Sequence, residues 1–350
     1  MVTSYRRSLF SLTMICLLAC LGVASCSDSG TRNEDSEIGT FFTMESSSDA
    51  LGLIPEFQDG IPILCYHYFR SSFNPAYLAR VFTAVIFGAP TIGDREFWTT
   101  PIGEFERHLR YFRDNNIQVV TLDEVADLLD AGLELPERAV VLTIDDADES
   151  VYRLAWPLLK KYNVRAHLFV PTGRAGSQWS ELQVSSWDQL REMESSGNII
   201  VGSHSRDMHY KTKTRDGWEP IFWHPDRVPE ATRALNLADV MRYRRQGSQI
   251  EIDAEVDAAL TGGWSAVAAD LLASRYDIER ELNHAPDWLA WPYGFAESDL
   301  DSIGKMVGFR GTVSLAPLNF AEEDSTLTPG RYTITAKTTL EMIKSVLPPQ

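Results

Sequence analysis

The stretch Ala139-Val140-Val141-Leu142-Thr143-Ile144-Asp145-Asp146 sets six uncharged residues, five of them apolar, against two adjacent carboxylates. The first six carry neither the alternation of a half-buried strand nor the 3.6-residue period of a surface helix. They read as a short strand buried on both faces, as in a parallel sheet. The aspartates then stand just past its C-terminal end. Taken alone, such a pair is as well explained by the start of a helix, where carboxylates favour the N-terminus.

The same pattern recurs along the chain. Apolar runs at Ile61-Pro62-Ile63-Leu64-Cys65-Tyr66, Ile117 to Val120, Ala166 to Val170, Asn198 to Gly202 and Trp288 to Trp291 are bounded by turn residues, with weaker runs at Gly311 to Leu315 and Tyr332 to Thr335. Helical segments separate them. Thr100 and Pro101 suit N-cap and N1 of a helix whose face carries Ile102, Phe105, Leu109 and Phe112. Thr121 to Glu124 is a capping-box pattern that opens a helix ending before Gly132. Ser186 to Gln189 is a second, in a helix that Gly197 ends. Pro157 predicts a kink or a late start in the helix expected over Ser150 to Tyr162. Residues 211–265 match no strand–helix unit and read as an insertion. The alternation predicts a (β/α) barrel or a doubly wound sheet.

Polar groups gather where these runs end. His67 follows the first, Asp145 and Asp146 the third, His204 and then His209 the run from Ile199, and Pro292-Tyr293-Gly294 the one ending at Trp291. In a barrel those ends meet at one mouth. One carboxylate with two imidazoles makes a facial metal site with open positions. A second carboxylate beside it can act as general base, and a further histidine as general acid.

Composition limits the partners. The chain has 350 residues, 44% hydrophobic and 23% charged, which suits a globular fold. Its net charge of −17 disfavours nucleic acid. Arg6 and Arg7 precede a mostly apolar Leu9 to Val23, the pattern of a secretory signal over residues 1–25. Val23-Ala24-Ser25-Cys26 resembles a bacterial lipobox, so Cys26 is expected to carry lipid and to anchor the chain in the cell envelope, facing periplasm or exterior. Residues 26–55 read as a flexible tether and 56–345 as the folded domain. Of Cys16, Cys20, Cys26 and Cys65, such processing leaves only Cys65 as a free thiol.

The motifs together resemble the polysaccharide deacetylases of the NodB-homology group. Thr143-Ile144-Asp145-Asp146 is similar to their T-F-D-D motif, and Ser203 to His209 to their histidine motif. The histidines stand five apart rather than four, as in the branch that de-N-acetylates poly-β-1,6-N-acetylglucosamine. Ala290-Trp291-Pro292-Tyr293-Gly294 fits that branch as well, and so does Tyr66-His67, since its motif order is permuted and the catalytic histidine comes early.

The resemblance implies a distorted (β/α) barrel of the polysaccharide deacetylase type. It implies Asp145 as general base, His67 as general acid, and the Tyr293 backbone N–H as oxyanion donor. It implies Asp146, His204 and His209 as ligands of a divalent metal, zinc first, with nickel, cobalt and iron as alternatives. Trp187, Trp291 and Pro292 would line the sugar site, and Asp188 and Arg331 would orient Asp145 or His67. The implied substrate is an N-acetylglucosamine polymer. Peptidoglycan, chitin and acetylated xylan are the alternatives, along with a non-catalytic glycan-binding role. A paired-carboxylate glycosidase is excluded, because adjacent aspartates cannot straddle a glycosidic bond. Ala147 stands where the family usually has glycine, so its backbone conformation must accept a Cβ. His108, His167, His224 and His284 match no motif and are expected to be structural or exposed.

Overall fold

Eight short strands, all parallel, form one sheet: β1 (Ile63–Tyr66), β2 (Gln118–Val120), β3 (Ala139–Ile144), β4 (Ala166–Val170), β5 (Ile199–Ser203), β6 (Trp288–Ala290), β7 (Gly311–Val313) and β8 (Tyr332–Thr333). The order is β7-β6-β5-β4-β3-β1-β8, with β2 also paired to β3. This is a computed structural model, and it describes residues 59–71, 94–246, 248, 250, 253–294, 298–321 and 327–348. The expected signal, tether and Cys26 lie outside the described residues. β3 and β4 are buried along their whole length, as strands covered on both faces must be. The end strands β7 and β8 are not paired with each other, so the curled sheet is a distorted (β/α) barrel.

Parallel register brings the C-terminal ends to one edge. Cys65 lies beside Thr143, and Val170 beside Ser203. The residues that follow, His67, Asp145, Pro171 and His204, therefore emerge together.

Helices cover the faces. α1 (Ile102–Asp114) buries Phe105, His108, Leu109 and Phe112. Each large apolar side chain so buried contributes about 1.5–3 kcal/mol. Its start differs from the sequence expectation. Pro101 itself takes the N-cap position without a side-chain cap, because Thr99–Pro101 pairs as a short strand with Tyr68–Arg70. α2 (Leu122–Asp130) opens with the capping box of Thr121 and Glu124. α3 (Trp156–Tyr162) does begin late. A wide π-helical turn over Val151–Ala155 precedes it, and Pro157 falls in its first turn, where no N–H is needed. α4 (Trp187–Ser195) has the second capping box, Ser186 with Gln189.

Residues 211–265 hold a hairpin, Lys211–Lys213 against Trp218–Pro220, then α5 (Glu230–Arg245) and α6 (Ala254–Thr261). Ile221, Phe222, Val240, Val256 and Leu260 pack with the apolar side of α7 (Ser265–Leu282) in a second core. α7 is buried nearly all round between that core and the sheet.

Candidate active site

Asp145 and Asp146 leave β3 in a tight bend. Asp146 has φ +67° and the buried Ala147 φ +50°. Ala147 thus adopts the left-handed conformation that glycine favours, at a cost of about 1–2 kcal/mol. The bend turns the two carboxylates toward different partners. Asp145 meets Arg331, whose Nη1 and Nη2 donate to Oδ1 and Oδ2 at 2.7 and 2.8 Å. Arg331 is fully buried and also donates to Thr143 Oγ1 and to the Ser314 carbonyl. Burial acts to raise the Asp145 pKa, but the Arg331 guanidinium and the nearby His204 outweigh it and hold the carboxyl below its ordinary value.

Asp146 Oδ2 accepts the Tyr68 hydroxyl at 2.5 Å. Its Oδ1 faces His209 Nε2 at 3.2 Å and His204 Nε2 at 3.5 Å, and has no hydrogen-bond partner among the described residues. His204 Nδ1 lies 2.7 Å from the Ala290 carbonyl oxygen, which can only accept. Nδ1 therefore carries the proton. Burial pulls the His204 pKa down to about 4, so the ring is neutral at ordinary pH and turns an Nε2 lone pair toward Asp146. Two acceptors buried face to face suit a shared proton or a cation between them. Asp146, His204 and His209, whose ligand atoms all lie within 4.8 Å of one another, fit a divalent metal.

His67 is buried, its ring 4.6 Å from that of Trp98, and its Nδ1 has no hydrogen-bond partner among the described residues. Burial lowers its pKa, against the pull of Asp145 and Asp146. Cys65 and Asp145 also come within 4.8 Å of it, atom to atom. That second set does not suit a cation, because Arg331 already holds both oxygens of Asp145. Tyr293 has φ +62° in the Pro292–Gly294 turn, and its ring lies 4.7 Å from that of His209.

The supporting residues need correction. Asp188 is 93% exposed and pairs with Arg191 at 2.7 Å on α4, where it serves as a first-turn carboxylate, not as an orienting group for Asp145 or His67. Trp291 is 1% exposed, lies 5.3 Å from Phe222 ring to ring, and donates Nε1–H to Asp301. It is core and does not wall the site. Trp187 packs on the main core at the start of α4. The aromatic rings beside the histidines are instead Trp98 on His67 and Trp179, edge-on to His209 at 4.8 Å. Both are partly exposed. Neither has a local sequence signal, whereas Tyr68 could have been picked out from the segment Tyr66-His67-Tyr68. Of the four histidines without a motif, His108 is buried against the Tyr66 hydroxyl and His167 accepts the Leu122 N–H. His224 pairs with Glu219 and His284 with Glu194.

Residues 132–312 match the profile of the polysaccharide deacetylases, over half of the chain. The chain belongs to the polysaccharide deacetylase family. A poly-β-1,6-N-acetyl-D-glucosamine N-deacetylase of Staphylococcus aureus is 32% identical over 111 residues, 31% of this chain and 38% of that protein. This polysaccharide deacetylase thus matches well under half the length of that relative. IcaB from Ammonifex degensii has the same fold, with a TM-score of 0.57 and 25% identity over 80% of this chain and 93% of that one. A de-N-acetylase from Aggregatibacter actinomycetemcomitans gives 0.57 at 20% identity, over 82% and 99%.

Proposed function

We propose that this polysaccharide deacetylase removes N-acetyl groups from poly-β-1,6-N-acetylglucosamine, with a divalent metal held by Asp146, His204 and His209. One observation carries the reading: those three converge on one point, with the Arg331-held Asp145 and the buried His67 at the same sheet edge. Asp146, His204 and His209 would hold that ion, zinc first by the ligand set, and it would supply Lewis-acid polarisation of the acetyl carbonyl and a lowered pKa for water. Asp145 takes the proton of the attacking water as the new C–O bond forms. His67, whose protonated form the Asp145 and Asp146 carboxylates favour against the effect of burial, delivers its proton to the amide nitrogen as the C–N bond breaks, so acetate and a free amine leave. The Tyr293 backbone N–H is assigned to the oxyanion. Trp98 and Trp179 are the sugar platforms.

The choice of polymer rests on the five-residue histidine spacing, the Trp291-Pro292-Tyr293-Gly294 sequence and the name of the staphylococcal relatives. We assign residues 1–25 as a signal and Cys26 as the lipid anchor to the envelope. Cys26→Ala should then move the protein from the membrane fraction to the soluble one. The deciding assay is acetate release from poly-β-1,6-N-acetylglucosamine, peptidoglycan, chitin and acetylated xylan, with chelator and after zinc is restored. Preferred turnover of the first, lost with chelator and regained with zinc, is expected. Binding without turnover on every polymer would defeat the enzymatic reading.

A further inference from the structure

His204 and His209 are five residues apart, and on a helix such a pair would point about 140° away from each other. Here the residues between them form a turn, with Ser205 at φ +63°. The turn is held on both sides. Its N–H groups at Arg206 and Asp207 donate to the two oxygens of one carboxylate, Asp270, at 2.8 and 2.9 Å. Its carbonyls at Ser205 and Arg206 accept from Thr172 N–H and Gly173 N–H, both at 3.1 Å. Gly173 lets the two segments approach, since a Cβ there would lie 2.8 Å from the Arg206 carbonyl oxygen, which the turn's own hydrogen bond holds in place.

Asp270 sits in the second turn of α7 and is 0% exposed. An unpaired carboxylate at such a depth would be costly, and the turn's amides together with Asn236 Nδ2 at 3.0 Å are what satisfy it. The Arg206 side chain extends the same network. It donates to Asn236 Oδ1 at 2.9 Å, pairs with Asp239 at 2.7 Å and lies 3.0 Å from Asp277. Asn236 and Asp239 belong to α5, Asp270 and Asp277 to α7. The turn thus bonds to helices of the 211–265 segment and its neighbour, through groups other than the two histidine rings that face Asp146.

We infer that α5 and α7 form a clamp that sets the His204–His209 turn for metal before the metal arrives, with Asp270 and Arg206 as its positioning residues. This rests on the proposed metal centre at Asp146, His204 and His209. Asp270→Asn keeps the shape but turns an amide donor toward a backbone donor. Arg206→Lys keeps the charge but cannot span three partners. Either should weaken zinc binding about 10-fold, the lower end of what losing a direct partner of a metal ligand costs, because these residues hold the turn and not the histidine rings. The measurement is zinc affinity by competition with a chromogenic chelator, alongside the melting temperature of the metal-free protein. A lower melting temperature with zinc affinity unchanged would reduce Asp270 to a structural residue and overturn the inference. His204→Ala is the control: if it keeps full zinc affinity, the metal centre itself is wrong. Hydrogen exchange on the wild type needs no variant to fold. The Arg206 and Asp207 amides should already be protected in metal-free protein. Protection that appears only on adding zinc would show that the metal shapes the turn, and would refute the clamp.

Discussion

Arg331 holds both carboxylate oxygens of Asp145, at 2.7 and 2.8 Å, from 186 residues further along the chain. Both groups are buried, so the guanidinium fixes the rotamer of Asp145 and keeps it ionised. Removing one partner of a buried pair strands the other charge. Arg331→Ala should cost about 3–5 kcal/mol of stability, measured by denaturant unfolding. Arg331→Lys should fold but lose the two-pronged grip, with kcat down about 10–100-fold. Unchanged kcat in the lysine variant would mean that the orientation of Asp145 does not matter.

Base and acid can be told apart. Asp145→Asn should retain zinc, since Asp146 and both histidines remain, yet lose about 10²–10⁴ in turnover. His67→Ala should also retain zinc. Its loss should be severe on an amide, whose leaving nitrogen needs a proton, and smaller on an activated acetyl ester. Equal loss on the two substrates would remove His67 from the role of acid.

Tyr68 donates to Asp146 from the side opposite the histidines. Tyr68→Phe leaves that oxygen without its donor. Zinc affinity should fall about 10-fold. Titration with a competing chelator reads the change directly, and an unaltered affinity would show that the hydroxyl does not tune the ligand.

Trp179 stands edge-on to His209 and is partly exposed. Trp179→Ala should raise KM for a glycan about 2–13-fold, equivalent to about 0.5–1.5 kcal/mol of aromatic contact. A small acetyl ester should show no such change, and a rise in KM for both would rule out a sugar platform.

Acid should destabilise the metal-free protein in part through His108. Burial depresses its pKa to about 4, from an ordinary value of 6.5. Between those values the unfolded chain binds a proton there that the folded chain does not, so stability is full above pH 6.5 and falls toward pH 4. The loss attributable to this residue is about 3 kcal/mol at most. His167, also lowered to about 4, acts in the same direction, whereas the buried Asp270, raised to about 7, acts in the opposite one. The test is therefore a difference: His108→Gln should flatten the dependence of stability on pH across that window relative to wild type.

Much of this was legible in the sequence. Buried parallel strands are short uncharged runs, and the polar residues that follow them had to emerge at one edge, so the positions of His67, Asp145, Asp146, His204 and His209 followed from local pattern. The tryptophans did not follow. Trp291 and Trp98 have the same chemistry, and only the packing of Phe222 on one and His67 on the other tells core from cleft. Asp188 is ambiguous in sequence because a first-turn carboxylate in a helix and an orienting carboxylate look alike until the helix is placed. Asp270 did leave a mark, as a single charge within Ala266-Val267-Ala268-Ala269-Asp270-Leu271-Leu272-Ala273. A carboxylate in so apolar a helix implies a buried partner, but not which one.

The long reach from Asp145 to Arg331 also bears on how the protein comes into being. A ribosome delivers the chain from its N-terminus, so both aspartates, His67, His204 and His209 are all made well before β8 and the arginine beside it. Through that interval the end of β3 lacks the cation that compensates its carboxylate, and the edge formed by β1, β3 and β4 cannot settle into its final form. Contacts this distant in sequence also form slowly. The reactive edge is therefore complete only once the segment around Arg331, made long after His67, Asp145, Asp146, His204 and His209, has docked against it.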